Sequence, residues 1–226
     1  VNDLVGKFGD IVPATAARSA KFEDKWWSAP HGSNIGGWFV RKDWATAAGV
    51  DLTKFGTFEE RVDAAMKMSD PSKEQFGWGL TINKSGDGHG VIQAAFQAFG
   101  GRAVDDTGKK VVFNSPGTVE GVKYLAALYT DPKYKPMLPP GVESWTDTSN
   151  NEAYLAGKIG ITANAPSVYA KAKADKNPVF ENTAWLGFPL TNDGKLELGS
   201  GANSWYSIMK GAKQADAAKQ VIMHFM

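Results

Sequence analysis

Cysteine is absent from the 226 residues, which excludes disulfides, thiol catalysis and cysteine-based metal sites together. That absence suits a reducing cytosol and equally an exported bacterial protein built without covalent staples, so it leaves the compartment open. Histidine occurs three times, at His31, His89 and His224, far apart and without H-E-x-x-H spacing, and G-x-S-x-G does not occur. No stretch approaches the roughly 18 apolar residues of a membrane span. The first residues, VNDLVGKFGD, lack the basic start and apolar run of a signal peptide, and Val1 is not a start methionine, so a processed or truncated chain is expected. Dense basic runs are missing too. The 25 Lys and Arg nearly balance 24 Asp and Glu, for a net charge of +1, and nothing in their spacing could follow a phosphate backbone. Nucleic acid is therefore not an expected partner. What is present is ordinary for a globular chain: 42% hydrophobic residues are enough for a packed core in one large domain or two small ones.

The apolar spacing alternates between strand and helix. Thr57-Phe58-Glu59-Glu60 reads as a capping box, after which Phe58, Val62, Ala65 and Met66 share one helical face up to about Asp70-Pro71. Phe76–Ile82 alternates like a strand, and SGDGHG breaks it before Val91, Ile92, Ala95, Phe96 and Phe99 mark the next helix. Gly100-Gly101 closes that helix, and the turn at residues 105–108 leads into a strand expected at Lys110–Phe113. Ser115-Pro116 opens a further helix, with Val119, Val122, Ala126 and Tyr129 on one side. Four prolines between Asp131 and Gly141 require a loop, and Ser149–Glu152 reads as a second capping box before a helix ending at Ala156-Gly157. Strands are expected at Lys158–Thr162, Ala184–Leu190 and Ser204–Lys210, with a last helix from about Asp216. This alternation predicts an α/β architecture around a mixed sheet.

Six segments, in order DKWWSAP, GWFVRKDWATAAGVD, GTFEERVDAAMKM, AFGG, EAYLAGKIGITANAPSVY and LGSGANSWYSI, cover nearly the whole chain. Their order resembles the extracellular solute-binding proteins of family 1, the sugar-binding receptors of ABC importers that include the maltose-binding protein. The resemblance implies a periplasmic-binding-protein-like, two-lobe (Venus-flytrap) fold with the ligand held between lobes. Residues 1–33 would then end the first lobe, 34–38 form a hinge crossing, 39–198 the second α/β lobe, 199–204 the return crossing, and 205–226 a strand and helix back in the first lobe. The family's N-terminal and C-terminal elements are absent from this chain, so a weakened or lost site is expected. The implied function is capture of a sugar, polyol or similar small polar solute and its delivery to ABC permease subunits, outside the cytoplasm, in a periplasm or on a lipid anchor. No catalysis, cofactor or metal is implied.

Four segments then become candidates for contact with solute. At the strand end in KIGITANAPSVY, backbone N–H groups and small polar side chains gather where open α/β sheets bind ligands. The resemblance turns Asn164 to Ser167 toward the ligand with Tyr169 one turn in; family members often carry an aromatic near the Ser167 position, which leaves Tyr169 as the available ring. Asn164 could instead cap the helix behind Pro166. In NKSGDGHGV the glycines permit close backbone approach, and Asn83, Asp87 and His89 offer the donors and acceptors that sugar hydroxyls need, although Asp87 could simply cap the following helix. GxGxG without G-x-x-x-x-G-K-[ST] is not a phosphate loop. At the crossings, His31 and Asn34 must find polar partners in the protein or in a ligand. Ser200, Asn203 and Trp205 lie on the return, where an indole could stack on a pyranose or sit in a core. A carbohydrate-active enzyme and an isolated lobe with an interaction role are the alternatives. For the former, the adjacent acids Asp105-Asp106 fall in a turn, where solvation explains them.

Overall fold

The computed structural model describes residues 1–7, 20–34, 36–195 and 202–225. In chain order its strands are β1 (Lys21–Phe22), β2 (Lys25–Trp26), β3 (Ala29–Asn34), β4 (Gly37–Arg41), β5 (Phe76–Trp78), β6 (Ile159–Asn164), β7 (Thr183–Trp185) and β8 (Ala202–Tyr206). Its helices are α1 (Asn2–Val5), α2 (Lys42–Ala47), α3 (Phe58–Lys67), α4 (Gly86–Ala98), α5 (Pro116–Thr130), α6 (Ser149–Leu155), α7 (Ser167–Ala174) and α8 (Ala215–Phe225). The chain forms two compact bodies, one of Gly36–Ser200 and one of Val1–Ile35 with Gly201–Met226.

In the larger body four strands make a mixed sheet in the order β5-β6-β4-β7, parallel between β5 and β6 and antiparallel elsewhere. β4 takes an inner place because all five of its residues, Gly-Trp-Phe-Val-Arg, are buried, as a strand covered on both faces requires. Helix α3 packs against β5, and the expected capping box is formed: Glu60 N donates to Thr57 Oγ1 (3.2 Å) and Thr57 N to Glu60 Oε2 (2.8 Å). The approach is close. A Cβ on Gly77 would stand 1.9 Å from the Ala65 carbonyl oxygen. The rings of Trp38, Phe58 and Trp78 meet edge to face at 5.5 to 5.8 Å between centroids. Over Trp38, at 5.0 Å, lies the guanidinium of Arg61, which is 1% exposed and donates to the carbonyls of Phe55, Leu186, Gly187 and Phe188. The buried cation adds to the bonds that Trp38 of β4 makes with Leu186 and Gly187, and so staples the loop that follows β7.

Several expected elements differ. β5 stops at Trp78 and not at Ile82: Gly79 N still donates to the Ile161 carbonyl (2.9 Å), but Thr81 Oγ1 then turns to the Trp145 carbonyl (3.0 Å) and the ladder ends. Lys110–Phe113 is not a strand, because beyond one bridge between Val104 and Val111 the segment finds no sheet to join. Ser149–Glu152 makes no capping box, since Ser149 is already inside α6 and its Oγ accepts from Thr146 N (3.0 Å). β7 covers Thr183–Trp185, not Ala184–Leu190, because Gly187 at φ +67 turns the chain and Arg61 takes its carbonyls. β8 begins at Ala202 and ends at Tyr206, short of Lys210.

The smaller body is built on the antiparallel pair of β3 and β8, with Asn34 opposite Ala202 and Ala29 opposite Tyr206. The register slips between Pro30 and Gly32. Pro30, having no N–H, suits such an irregularity. β1 and β2 form a hairpin whose turn residues, Glu23 and Asp24, take φ of 48 and 59, the left-handed turn that two-residue hairpins favour. Leu4, Val5, Ala29 and Ile222 make its buried cluster.

Candidate functional site

A cavity of about 480 Å³ opens in the larger body where the start of β4, the carboxyl end of β6 and one face of α4 meet. Gly36, Gly37 and Trp38 border it from β4, Ala163 and Asn164 from β6, and Phe188 from the loop that Arg61 holds. From α4 come Gly86, Asp87, Gly90, Gln93, Ala94 and Gln97, a stripe at helical spacing.

The amino end of α4 is secured by side chains from the protein itself. Ser85 Oγ accepts from Gly88 N (3.1 Å), and the Asp147 carboxylate accepts from Gly86 N (3.2 Å) and Asp87 N (2.9 Å). These backbone bonds, led by that from Asp87, hold the Asp147 carboxyl below its ordinary pKa, as an anion at a helix amino end should be. The expectation that SGDGHG is a loop with Asp87 as its cap is thereby corrected: Ser85 caps, and Gly86 to Gly90 are helical. The reason for one glycine is also internal. A Cβ on Gly88 would lie 2.0 Å from the Asn83 carbonyl oxygen, so it is the chain's own turn that demands the close approach.

Asp87 is half-buried on the cavity wall, and its Oδ2 accepts from Asn150 Nδ2 at 2.7 Å. Burial pushes its carboxyl above the ordinary range, the Asn150 bond opposes that rise, and the neighbouring Asp147 charge adds to it. Asn150, 1% exposed, also donates to the Ala163 carbonyl (3.2 Å), which ties α6 to the end of β6. Asn164 Nδ2 is bound to Asn151 Oδ1, while Asn164 Oδ1 accepts from Ala165 N (2.9 Å). It does not cap α7, whose N-cap position is Pro166 without a side-chain bond.

Of the residues singled out in the sequence, Asp87 and Asn164 thus share one wall. Asn83 stands apart from the lining and holds its turn, donating to the Ser144 carbonyl (3.0 Å) and accepting from Lys84 N (2.8 Å). His89 and Ser167 are exposed outside the lining. The Tyr169 ring lies against Phe39 (6.4 Å, near parallel) and Phe180 (4.7 Å), also outside it. In the smaller body His31 is exposed with its ring 4.6 Å from that of Tyr206, and Trp205 is exposed opposite Pro30. Asn34 and Asn203 lie on β3 and β8, and Ser200 falls outside the described residues. Sequence reasoning missed Asn150, Asp147, Gln93 and Gln97. The two glutamines had a signal: they sit four apart, in line with Gly86 and Gly90, on the side of α4 away from its core-facing residues.

Among the described residues no group of three or more His, Asp or Glu is placed to hold a metal, and no helix is long and apolar enough to cross a membrane. A family model described as bacterial extracellular solute-binding protein matches residues 3–223. No curated protein matches closely enough to count as a relative. Among solved structures, the maltose-bound MalE3 of T. maritima is similar at TM-score 0.76 and 21% identity, over 98% of this chain and 56% of that one. A solute-binding protein of an ABC transporter from Agrobacterium radiobacter K84, in complex with ribitol, gives 0.75 and 20% over 99% and 57%. One from Thermotoga lettingae TMO, bound with alpha-D-tagatose, gives 0.72 and 15% over 95% and 53%. These likenesses establish a periplasmic-binding-protein-like fold, and the chain spans about half the length of the structures it matches.

Proposed function

This chain belongs to the bacterial extracellular solute-binding protein family, and from that premise we propose that it receives a sugar or polyol and serves an ABC importer outside the cytoplasm. The observation that carries the reading is the chemistry of the cavity in Gly36–Ser200. Asp87, Gln93, Gln97 and Asn164 supply acceptors and amide donors for hydroxyl groups, and the partly exposed Phe188 supplies apolar surface for the C–H face of a sugar. Maltose, ribitol and tagatose, named with the similar structures, are molecules of this chemistry.

The chain passes between its two bodies twice, between Ile35 and Gly36 and between Ser200 and Gly201. In the proposed mechanism residues 34–38 and 199–204 are hinges, residues 39–198 are the second lobe, and ligand held against both lobes favours closure. It does so only by the margin with which it binds the closed form better. His31, Asn34, Ser200, Asn203 and Trp205 are assigned to the hinge side of the site, and closure would present a surface to permease subunits. An enzymatic reading would need a second free carboxylate beside Asp87. Asp147 is committed to the backbone of α4.

Titration calorimetry of this chain with mono- and disaccharides and linear polyols, paired with amide NMR, tests the proposal. Because the chain spans about half the length of the similar structures, weak but saturable binding that shifts the side-chain amides of Gln93 and Gln97 is expected. No shift of these amides at millimolar solute, or shifts confined to other surfaces, would overturn it.

A further inference from the structure

Among the described residues lining the cavity, Asp87 alone is ionisable; Gln93, Gln97 and Asn164 contribute uncharged amides. An amide, carrying both a donor and an acceptor, discriminates weakly between a neutral and a charged solute, whereas a carboxylate discriminates strongly. One oxygen of Asp87 is fixed by Asn150 at 2.7 Å, and the other accepts no hydrogen bond from the described residues. It is thus left for a donor in the cavity. Behind it stands Asp147, whose carboxylate bonds the amides of Gly86 and Asp87 and adds negative potential of its own. The half-buried setting of Asp87 screens its charge less than open water would, whereas Asp147 is exposed and adds only a screened contribution.

Resting on the receptor reading above, we propose that Asp87 sorts solutes by charge: amino sugars and amino polyols are preferred, neutral sugars are admitted, and uronates or other sugar acids are rejected. The ammonium of an amino sugar would donate to the open Asp87 oxygen and form a charge-assisted bond, where a neutral sugar offers a hydroxyl. A uronate would set two carboxylates together with no cation on the wall to receive its own. The sorting is local, because the chain carries a net charge of +1 and does not repel anions as a whole.

The experiment compares amino, neutral and uronic acid forms of three sugar frames, gluco, galacto and manno, by titration calorimetry and by NMR shifts of the Gln93 and Gln97 side-chain amides. For the frame that binds, the amino form should bind at least about tenfold more tightly than the uronate. Asp87→Asn should compress that ratio to within about threefold, while Asp87→Glu retains most of it; the spread should also narrow as salt is added. Retained thermal unfolding of both variants confirms that they fold. Neutral sugar binding at Gln93 and Gln97 with equal affinity for the amine and the uronate, or a ratio unchanged in Asp87→Asn, would overturn the charge sorting and leave the receptor reading standing. Failure of every frame in every charge form to shift these amides would overturn both.

Discussion

The two bodies of the chain are stabilised by different means. In Gly36–Ser200 a fully buried strand runs through the sheet, three aromatic rings interlock edge to face, and a buried arginine holds the loop after β7. In the other body the buried cluster consists of Leu4, Val5, Ala29 and Ile222, and Phe22, Trp27, Trp205, Met209, Val221 and Phe225 are exposed. The first body buries a large apolar cluster, whose removal from water works against the entropy of ordering it, whereas among its described residues the second buries few apolar side chains. The cavity with its half-buried carboxylate is built on the body that has the larger described core.

The contrast can be broken most forcefully at Gly77. A side chain there meets the backbone of α3, which cannot yield as a flexible side chain would, so Gly77→Val should cost more than about 3 kcal/mol in urea unfolding of the larger body. Arg61→Met keeps the volume but strips the donors from the carbonyls of Gly187 and Phe188; a loss of about 3 kcal/mol is expected, with the NMR signals of Phe188 displaced. Ile222→Ala, in the thinner core, should cost about 2 kcal/mol, the low end for such a truncation, because a sparse cluster collapses more readily around the gap. Hydrogen exchange should accelerate in β3 and β8 and leave β4 and β6 unchanged. Equal acceleration in all four strands would mean that the bodies unfold as one.

The smallest effect has the opposite sign. The carboxyl of Asp87 titrates above its ordinary value, mainly through burial, so the folded chain holds that proton more tightly than the unfolded one. Stability from this group is therefore present at low pH and is lost as pH rises from the unfolded pKa through the folded one. Asp87→Asn should raise stability at pH 7 by a few tenths of a kcal/mol, and by less than about 1, since partial exposure screens the charge. It should also flatten the profile in the acid range. A loss of stability at pH 7 would show that the Asn150 bond, not burial, dominates.

Much of the α/β pattern was legible because its signals are local. Thr57 with Glu60, and Ser115 with Pro116, write a helix start into a few residues, and the structure places helices there. Ser149 with Glu152 carries the same letters and fails, because Thr146 captures the serine. Strand ends were less legible, since they depend on where a partner stops, as at Trp78, or on a remote group such as Arg61 drawing carbonyls away. On the cavity wall, Asp87 stood among glycines and Asn164 at the end of a strand ahead of Pro166, and both could be found. Asn150 and Asp147 could not: their partners lie about 60 residues away for Asp87, and no periodicity announces such a contact.

One position on α4 stands apart from its neighbours in what it could become. Gly88 cannot grow without striking the Asn83 carbonyl, but Gly90, two residues on and on the cavity wall, would meet nothing within 4 Å. A side chain added there enters the cavity without disturbing the core, so if the proposed reading holds, the size of solute admitted could drift by a single codon change while the fold is untouched. On that reading, related chains could part ways in diet at this residue before any part of the scaffold had to change.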